Sequence, residues 1–384
     1  MAIKIFVLGN PGGGKSTLVK SIQTEAESFG SRIKHRLTKV KGVDEKTAGI
    51  IPYDICSKTL GHITMFDFAG HREYYAGHDA LLRNSMTDSP SIIILVVDMK
   101  DEEGKIRETV EYWLEFLAQQ YNEGGPKPHL LVIGSHADEI PSSEVRSRSK
   151  LFQSLLNDYN LENFVHIDKL VLDCRYAESS SMSNLRQKLL RSCQQLRAPE
   201  KLKFPNHCFL VFLLNKFIDH PAIKLTTAVH ALKEEVKHKA LWEIIKSLDV
   251  HSTCEELNKQ GSILFMKNHK CLENSWIVLD KTVLLSQVNG KIFAPDGFNE
   301  YQKVATSTGV VPLSKLTTLF PNLNPNMISQ FLCHLEFCQE ITDVNVLALL
   351  QSEVVSSTKE RFFFFPALVP VSYTHLTLPT IYSV

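Results

Sequence analysis

Ile3-Lys4-Ile5-Phe6-Val7-Leu8-Gly9-Asn10-Pro11-Gly12-Gly13-Gly14-Lys15-Ser16-Thr17-Leu18 is the stretch from which the fold can be read. A short apolar run ends at Gly9, and Gly-x4-Gly-Lys-Ser follows without a gap. From Ser16 to Glu25 the residues read as a helix with Leu18, Val19 and Ile22 on one face. Strand, glycine-rich turn and helix N-terminus in register form the setting a phosphate-binding loop requires. The glycines admit positive φ and let backbone N–H groups approach phosphate oxygens. The helix dipole adds positive potential at the same place. Lys15 is expected to reach the β and γ phosphates, and Ser16 to hold Mg²⁺ through its hydroxyl. Gly9 to Thr17 therefore imply a nucleoside triphosphate as ligand.

Downstream, the sequence alternates between strands and helices. Ser28 to Glu45 is polar, basic and aperiodic, and reads as a mobile loop. Ile51–Ile55 and His62–Phe66 read as two strands with a turn around Leu60-Gly61. The second runs into Asp67-Phe68-Ala69-Gly70-His71. An Asp at a strand end followed three residues later by Gly suits a magnesium-associated carboxylate and an N–H facing the γ-phosphate. Ser91 to Asp98 and His129 to Gly134 are continuous apolar runs of the kind buried on both faces of a parallel sheet. Val110 to Gln120 reads as a helix burying Trp113, Leu114 and Leu117. A last strand, Val165–Leu172, precedes a helix over Ser181–Gln195. The predicted fold class is α/β: a P-loop NTPase with a mostly parallel sheet and helices on both faces.

Composition narrows the function. Lys plus Arg and Asp plus Glu both number 42 in 384 residues. No net field favours nucleic acid or anionic membrane. No apolar stretch approaches the eighteen or so residues that span a bilayer. The N-terminus enters its first strand at once, where a signal peptide would stand. Eight cysteines without C-x-x-C pairs point to reduced thiols and a cytoplasmic setting. Cys333 and Cys338, five apart, read as core residues.

The order of these elements resembles a Ras-type small GTPase. In that resemblance Thr47, in a T-x-G-[IV] context, matches the switch threonine, which serves Mg²⁺ and catalysis. Ser135-His136-Ala137-Asp138 falls where the family carries Asn-Lys-x-Asp, so the Asp138 carboxylate would accept two hydrogen bonds from guanine, a pattern adenine cannot offer. Asp173-Cys174-Arg175 falls where the family has Ser-Ala-Lys, and the Cys174 N–H would contact guanine O6. The Ser-His replacement and Phe66-Asp67-Phe68-Ala69-Gly70 resemble the Roc (Ras of complex proteins) branch. His71 stands where Ras-like proteins have the glutamine that positions water, a place translational GTPases fill with histidine. The alternative is a solvated switch-loop residue, and Arg72 reads either as a cis arginine or, the favoured reading, as a carboxylate partner. Pro11 removes one loop N–H, so slow hydrolysis is expected. The implied nucleotide set is Gly9, Asn10, Pro11, Gly12, Gly13, Gly14, Lys15, Ser16, Thr17, Asp67, Gly70, Ser135, His136, Asp138, Cys174 and Arg175. Ser16, Thr47 and Asp67 would hold the metal, and His71, Thr47 and Lys15 would serve catalysis.

A composition shift near Ala198-Pro199 suggests a boundary: residues 1–197 as a Roc domain, and 198–369 resembling the N-terminal part of a COR (C-terminal of Roc) domain. Helices are expected over Leu225–Glu235 and Leu241–Leu248, and strands around Gly261–Phe265 and Ser275–Asp280. Helix–turn–helix–hairpin spacing occurs twice, as in winged helices. Met327 to Phe337 carries little Lys or Arg, so protein contact is expected there rather than nucleic acid. The COR resemblance implies protein partners or a homodimer. Phe362 to Phe365 is expected to be an exposed, aggregation-prone strand edge. Residues 370–384 lack any pattern continuous with what precedes them and read as a non-native tail. The sum is a GTP/GDP- and Mg²⁺-dependent switch in signalling. Two rivals stay open: a P-loop signalling NTPase specific for ATP, and a scaffold with negligible hydrolysis.

Overall fold

The computed structural model describes residues 3–26, 47–57, 60–71, 74–75, 78, 81–82, 90–120, 126–159, 161, 164, 166–176, 179–196, 204–236, 248–268, 271–294, 309–353 and 360–369. The expected loop 28–45, Arg72, nearly all of the expected helix at 241–248, and the tail 370–384 lie outside these residues. The chain packs as two compact units, Met1–Tyr301 and Gln302–Val384.

In the first unit, β1 (Ile3–Leu8) is buried along its whole length, as its unbroken apolar run requires. It pairs in parallel with β3 (Gly61–Phe68) on one side and β4 (Ser91–Asp98) on the other. Outside β3 lies the antiparallel edge strand β2 (Ile50–Ser57). β5 (His129–Ser135) and β6 (His166–Val171) extend the other side in parallel. The sheet order is β2-β3-β1-β4-β5-β6. Strand order therefore reverses at β1, and the crevice at the carboxyl ends beside β1 is where such sheets take ligands.

Helices α1 (Lys15–Ala26), α2 (Glu103–Gln120), α3 (Ser142–Asp158) and α4 (Ser180–Leu196) follow the strands. One apolar cluster joins α1 and α4 to the sheet through Leu18, Val19, Ile22, Leu185 and Leu189. On α2, Trp113, Leu114 and Leu117 are buried as expected. α3 has no counterpart in the sequence reading. It buries only Phe152, Leu155 and Leu156, a stripe too sparse to stand out among its Ser, Arg and Lys residues.

The rest of the first unit adds a mixed α+β segment. α5 (Phe204–Lys216), β7 (Ala222–Lys224), α6 (Leu225–Val236), α7 (Val250–Lys259), β8 (Leu264–Met266) and β9 (Trp276–Val278) follow in order. The three strands form a small antiparallel sheet, β7-β9-β8. This is the winged-helix-like order that the spacing suggested. A further helix, α8, is π-helical over Val283–Val288 and α-helical over Asn289–Ile292.

The second unit follows a similar order, with one helix inserted before its last strand: β10 (Val310–Pro312), α9 (Leu313–Leu319), α10 (Pro325–His334), β11 (Gln339–Glu340), α11 (Val344–Glu353) and β12 (Phe362–Phe364). Its sheet, β10-β12-β11, corrects one expectation. The phenylalanine run is the central strand, not an exposed edge. Phe362, Phe363 and Phe365 are buried, and only Phe364 is substantially exposed. Pairing on both sides satisfies the ladder that an edge would leave open. Cys333 and Cys338 sit in this unit with sulfurs 3.7 Å apart.

Candidate nucleotide site

The carboxyl ends of β1, β3, β4 and β5 gather the residues singled out from sequence. After β1, the loop Gly9 to Gly14 leads into α1. Lys15 is buried, and its Nζ donates to the Asn10 carbonyl oxygen at 2.8 Å. The Asn10 side chain is clamped by α2: its Nδ2 donates to Thr109 Oγ1 at 2.8 Å, and its Oδ1 accepts from Trp113 Nε1 at 3.2 Å. Sequence reading placed Trp113 only in the core. The signal that could have found this role is chemical, since a buried indole N–H needs an acceptor.

Ser16 Oγ lies 2.9 Å from Thr47 Oγ1 and donates to Asp67 Oδ2 at 2.5 Å. Residues far apart in sequence thus converge on one point. Asp67 is fully buried, and its other oxygen, Oδ1, has no hydrogen-bond partner among the described residues. Burial pushes the Asp67 carboxyl up to about 6, against the Ser16 hydrogen bond and the charge of Lys15. Burial also draws Lys15 down to about 8, with Asp67 acting in the opposite sense. Each is a charge held out of water with incomplete compensation, an arrangement that costs stability unless a ligand supplies the missing partners. An orphaned carboxylate oxygen beside two hydroxyls is a hard oxygen donor set, which fits Mg²⁺.

Gly70 follows on the same side. A Cβ there would lie 2.3 Å from the Pro11 nitrogen, so only glycine allows this approach to the phosphate loop. The Gly70 carbonyl oxygen accepts from Tyr75 Oη at 3.2 Å. His71 lies on the loop just beyond, its carbonyl oxygen accepting from the Tyr74 N–H at 3.1 Å.

On the opposite side, Ser135 Oγ donates to the Gly13 carbonyl oxygen at 2.7 Å, tying the end of β5 to the phosphate loop. His136 has φ 53°, a left-handed conformation uncommon outside glycine. Its Nδ1 lies 3.0 Å from Asp98 Oδ1, and its ring lies beside Gly14. Burial alone would raise Asp98, but hydrogen bonds from His136 and the Lys100 N–H hold it below the usual carboxylate range. Asp98 was read only as a strand end. Asp138, in the short helix Ala137–Glu139, presents a carboxylate that is 34% exposed. Cys174 is buried, and its carbonyl oxygen accepts from Ser21 Oγ of α1. Arg175 reaches back to pair with Asp138. The structure thus sets Thr47, Asp67 and Gly70 against Ser16 and Pro11, and Ser135 and His136 against Gly13 and Gly14, with Asp138 paired to Arg175.

Gly49 and Tyr74 also touch α8. A Cβ on Gly49 would lie 2.6 Å from the Leu285 carbonyl oxygen and 2.9 Å from the Gly290 nitrogen. Tyr74, fully buried, donates through Oη to the Gly290 carbonyl oxygen at 3.0 Å. At the edge strand β2, buried Lys281 donates to the Gly261 carbonyl oxygen at 2.5 Å and to Asp54 Oδ1 at 3.2 Å.

Among solved structures, translation elongation factor SelB from Methanococcus maripaludis, in complex with the GTP analogue GppNHp, is 15% identical. The match covers 53% of this chain and 36% of that one, with a TM-score of 0.34. The SsGBP–GDP complex is 19% identical over 51% of each chain, with a TM-score of 0.36. A GTP-binding protein from the hyperthermophilic archaeon Sulfolobus solfataricus, in complex with GDP, is 18% identical. That match covers 51% of this chain and 53% of that one, with a TM-score of 0.33. This chain thus spans about a third to a half of the length of these structures. No curated protein matches. Among the described residues no helix is long and apolar enough to cross a membrane. A family model does match: residues 4–138, about a third of the chain, fit the one described as "Ras of Complex, Roc, domain of DAPkinase", a Ras-like P-loop family.

Proposed function

We propose that the chain is a guanine-nucleotide switch: it binds GTP and GDP with Mg²⁺, hydrolyses GTP slowly, and passes its nucleotide state to the segment that follows. The observation that carries this reading is the convergence of Ser16, Thr47 and Asp67 on one point, with the Lys15 charge acting on Asp67 and Asp67 Oδ1 buried and unpartnered among the described residues. Mg²⁺ held by Ser16, Thr47 and Asp67 would neutralise charge on the phosphate oxygens. Lys15 leaves the Asn10 carbonyl for the β and γ phosphates, regaining there the counter-charge that burial denies it. Gly70 offers its N–H to the γ-phosphate, and His71 orients the attacking water. Pro11 contributes no N–H to the loop, so one stabilising donor is missing and hydrolysis is slow. Asp138 accepts guanine N1–H and the 2-amino group, with the Cys174 N–H on O6.

Residues 1–197 form the Roc domain in this proposal, and 198–369 the first part of a COR module. The contacts of Gly49 and Tyr74 with α8 support a coupling route. Phosphate and Mg²⁺ contacts that order the two loops would thereby bias the packing of α8. The partners are guanine nucleotide and proteins or a second copy met through the COR module, in the cytoplasm.

Calorimetric titration with Mg·GDP and then Mg·ADP tests the reading. A guanine site built on buried polar contacts gives a preference of several kcal/mol for GDP. Equal affinities would overturn the base assignment. Preference for ADP would favour the ATP-specific reading instead.

A further inference from the structure

Arg175 lies among three carboxylates. Its Nε donates to Asp173 Oδ1 at 2.9 Å, and its Nη2 to Asp173 Oδ2 at 3.1 Å. Nη2 also pairs with Asp138 Oδ2, and Nη1 stands 3.7 Å from Glu139 Oε1. The Arg175 N–H donates to Asp173 Oδ1 at 2.9 Å as well, so backbone and side chain are anchored on the same residue. The guanidinium is held in place by Asp173, and Asp138 is the partner it reaches.

Asp138 is the residue whose two oxygens are needed for a guanine base. We infer that Arg175 acts as a gate on the base site, occupying Asp138 Oδ2 and competing with the guanine 2-amino group for it. This inference rests on the guanine reading above and deepens it.

The geometry makes the gate easy to open. A guanidinium has five N–H donors, and here it keeps Asp173 and Glu139 when Asp138 is given up. It is never left as an unpaired cation, so handing Asp138 to the base costs no more than that one contact. The pair is also partly exposed, Arg175 at 22% and Asp138 at 34%. Salt therefore weakens it, whereas a hydrogen bond between Asp138 and a neutral base responds less. A bound base touches Asp138 through N1–H and the 2-amino group, and hypoxanthine lacks the second. Competition at Oδ2 alone therefore lowers the affinity for GDP more than for IDP. Arg175 sets how strongly this site tells guanine from hypoxanthine.

The test is titration of the full chain with Mg·GDP, Mg·IDP and Mg·ADP, for wild type, Arg175→Met and Arg175→Lys. Methionine keeps most of the stem and removes the charge. Arg175→Met is expected to bind GDP about tenfold tighter than wild type, the size of one charge-assisted hydrogen bond regained. IDP should gain clearly less, and Arg175→Lys should fall between. A second arm needs no substitution: the wild-type GDP-to-IDP affinity ratio should rise from low to high ionic strength, and flatten in Arg175→Met. Wild type preferring GDP over ADP while Arg175→Met binds GDP no tighter would overturn the gate and leave the guanine reading standing. A salt-independent GDP-to-IDP ratio in wild type would do the same. Wild type that does not distinguish GDP from ADP would overturn the guanine reading, and the gate with it.

Discussion

At the scale of single residues, the site separates recognition from chemistry. Asp138 has no part in the phosphate cluster, so Asp138→Asn should leave phosphate contacts intact while reversing the base pattern. An amide presents a donor where the carboxylate accepted, which suits the carbonyl of xanthine. We expect GDP to lose about a hundredfold and XDP to gain, as unpaired polar groups at a readout site cost on that order. Competition of both diphosphates against a fluorescent nucleotide checks it, and unchanged GDP affinity would refute the base assignment. His71→Ala addresses the other half. If His71 orients water, single-turnover hydrolysis should slow by about 10² with GDP affinity unaltered. A rate equal to wild type would leave His71 as a solvated loop residue and favour the scaffold reading.

At the scale of elements, the contact between Ala48-Gly49 and α8 depends on two glycines facing each other. A Cβ on Gly290 would lie 3.2 Å from Ala48 Cβ and 3.3 Å from the Ala48 carbonyl carbon. Gly290→Val must therefore displace Ala48, and with it the adjacent Thr47, at a cost of about 1–3 kcal/mol of overpacking. Because Thr47 is proposed as a metal ligand, 2.9 Å from Ser16 Oγ, and Asp138 is elsewhere, the variant should weaken a GTP analogue several-fold while keeping the ratio of GDP to ADP affinity. Titrations with the analogue and both diphosphates separate these effects, and a proportional loss of all three would point to general damage. This contact was not readable from sequence. The P-loop, the D-x-x-G strand end and the five parallel strands were, because each is carried by local pattern: apolar runs, glycine spacing, turn residues. Which backbone Gly49 would meet is decided more than two hundred residues away. The phenylalanine run was misjudged for the same reason, since its pairing partners β10 and β11 are set by tertiary structure. The Ser135–Asp138 segment, the proposed base reader, lies between. Its position was legible, but the grip of Arg175 on Asp138 was not, because it joins two loops that only the sheet brings together.

At the scale of the whole molecule, stability depends on groups that folding has taken out of water, and His78 shows this most plainly. It is fully buried, and neither ring nitrogen has a hydrogen-bond partner among the described residues. It packs edge-on against Phe68, with ring centroids 4.8 Å apart, and beside Tyr75 at 5.5 Å. Burial lowers its imidazole from 6.5 to about 3, and the charge of Lys15 works in the same direction. Here the folded-state value lies below the unfolded one, so the unfolded chain binds the extra proton between those limits. Stability is intact above about pH 6.5 and is lost progressively as pH falls toward 3. At pH 5 the loss from this residue amounts to about 2 kcal/mol, a large share of a marginal total. His78→Phe keeps an aromatic ring in the apolar site and removes the titration. Wild type should thus lose about 2 kcal/mol more than His78→Phe between pH 7 and pH 5, as read from urea midpoints at each pH. Parallel losses would mean that the imidazole gains a proton without unfolding its surroundings. The cause would then lie in a rearrangement around His78 and Tyr74, whose hydroxyl donates to the Gly290 carbonyl oxygen of α8. That outcome would make acid a perturbant of the contact between Tyr74 and α8 rather than of the core.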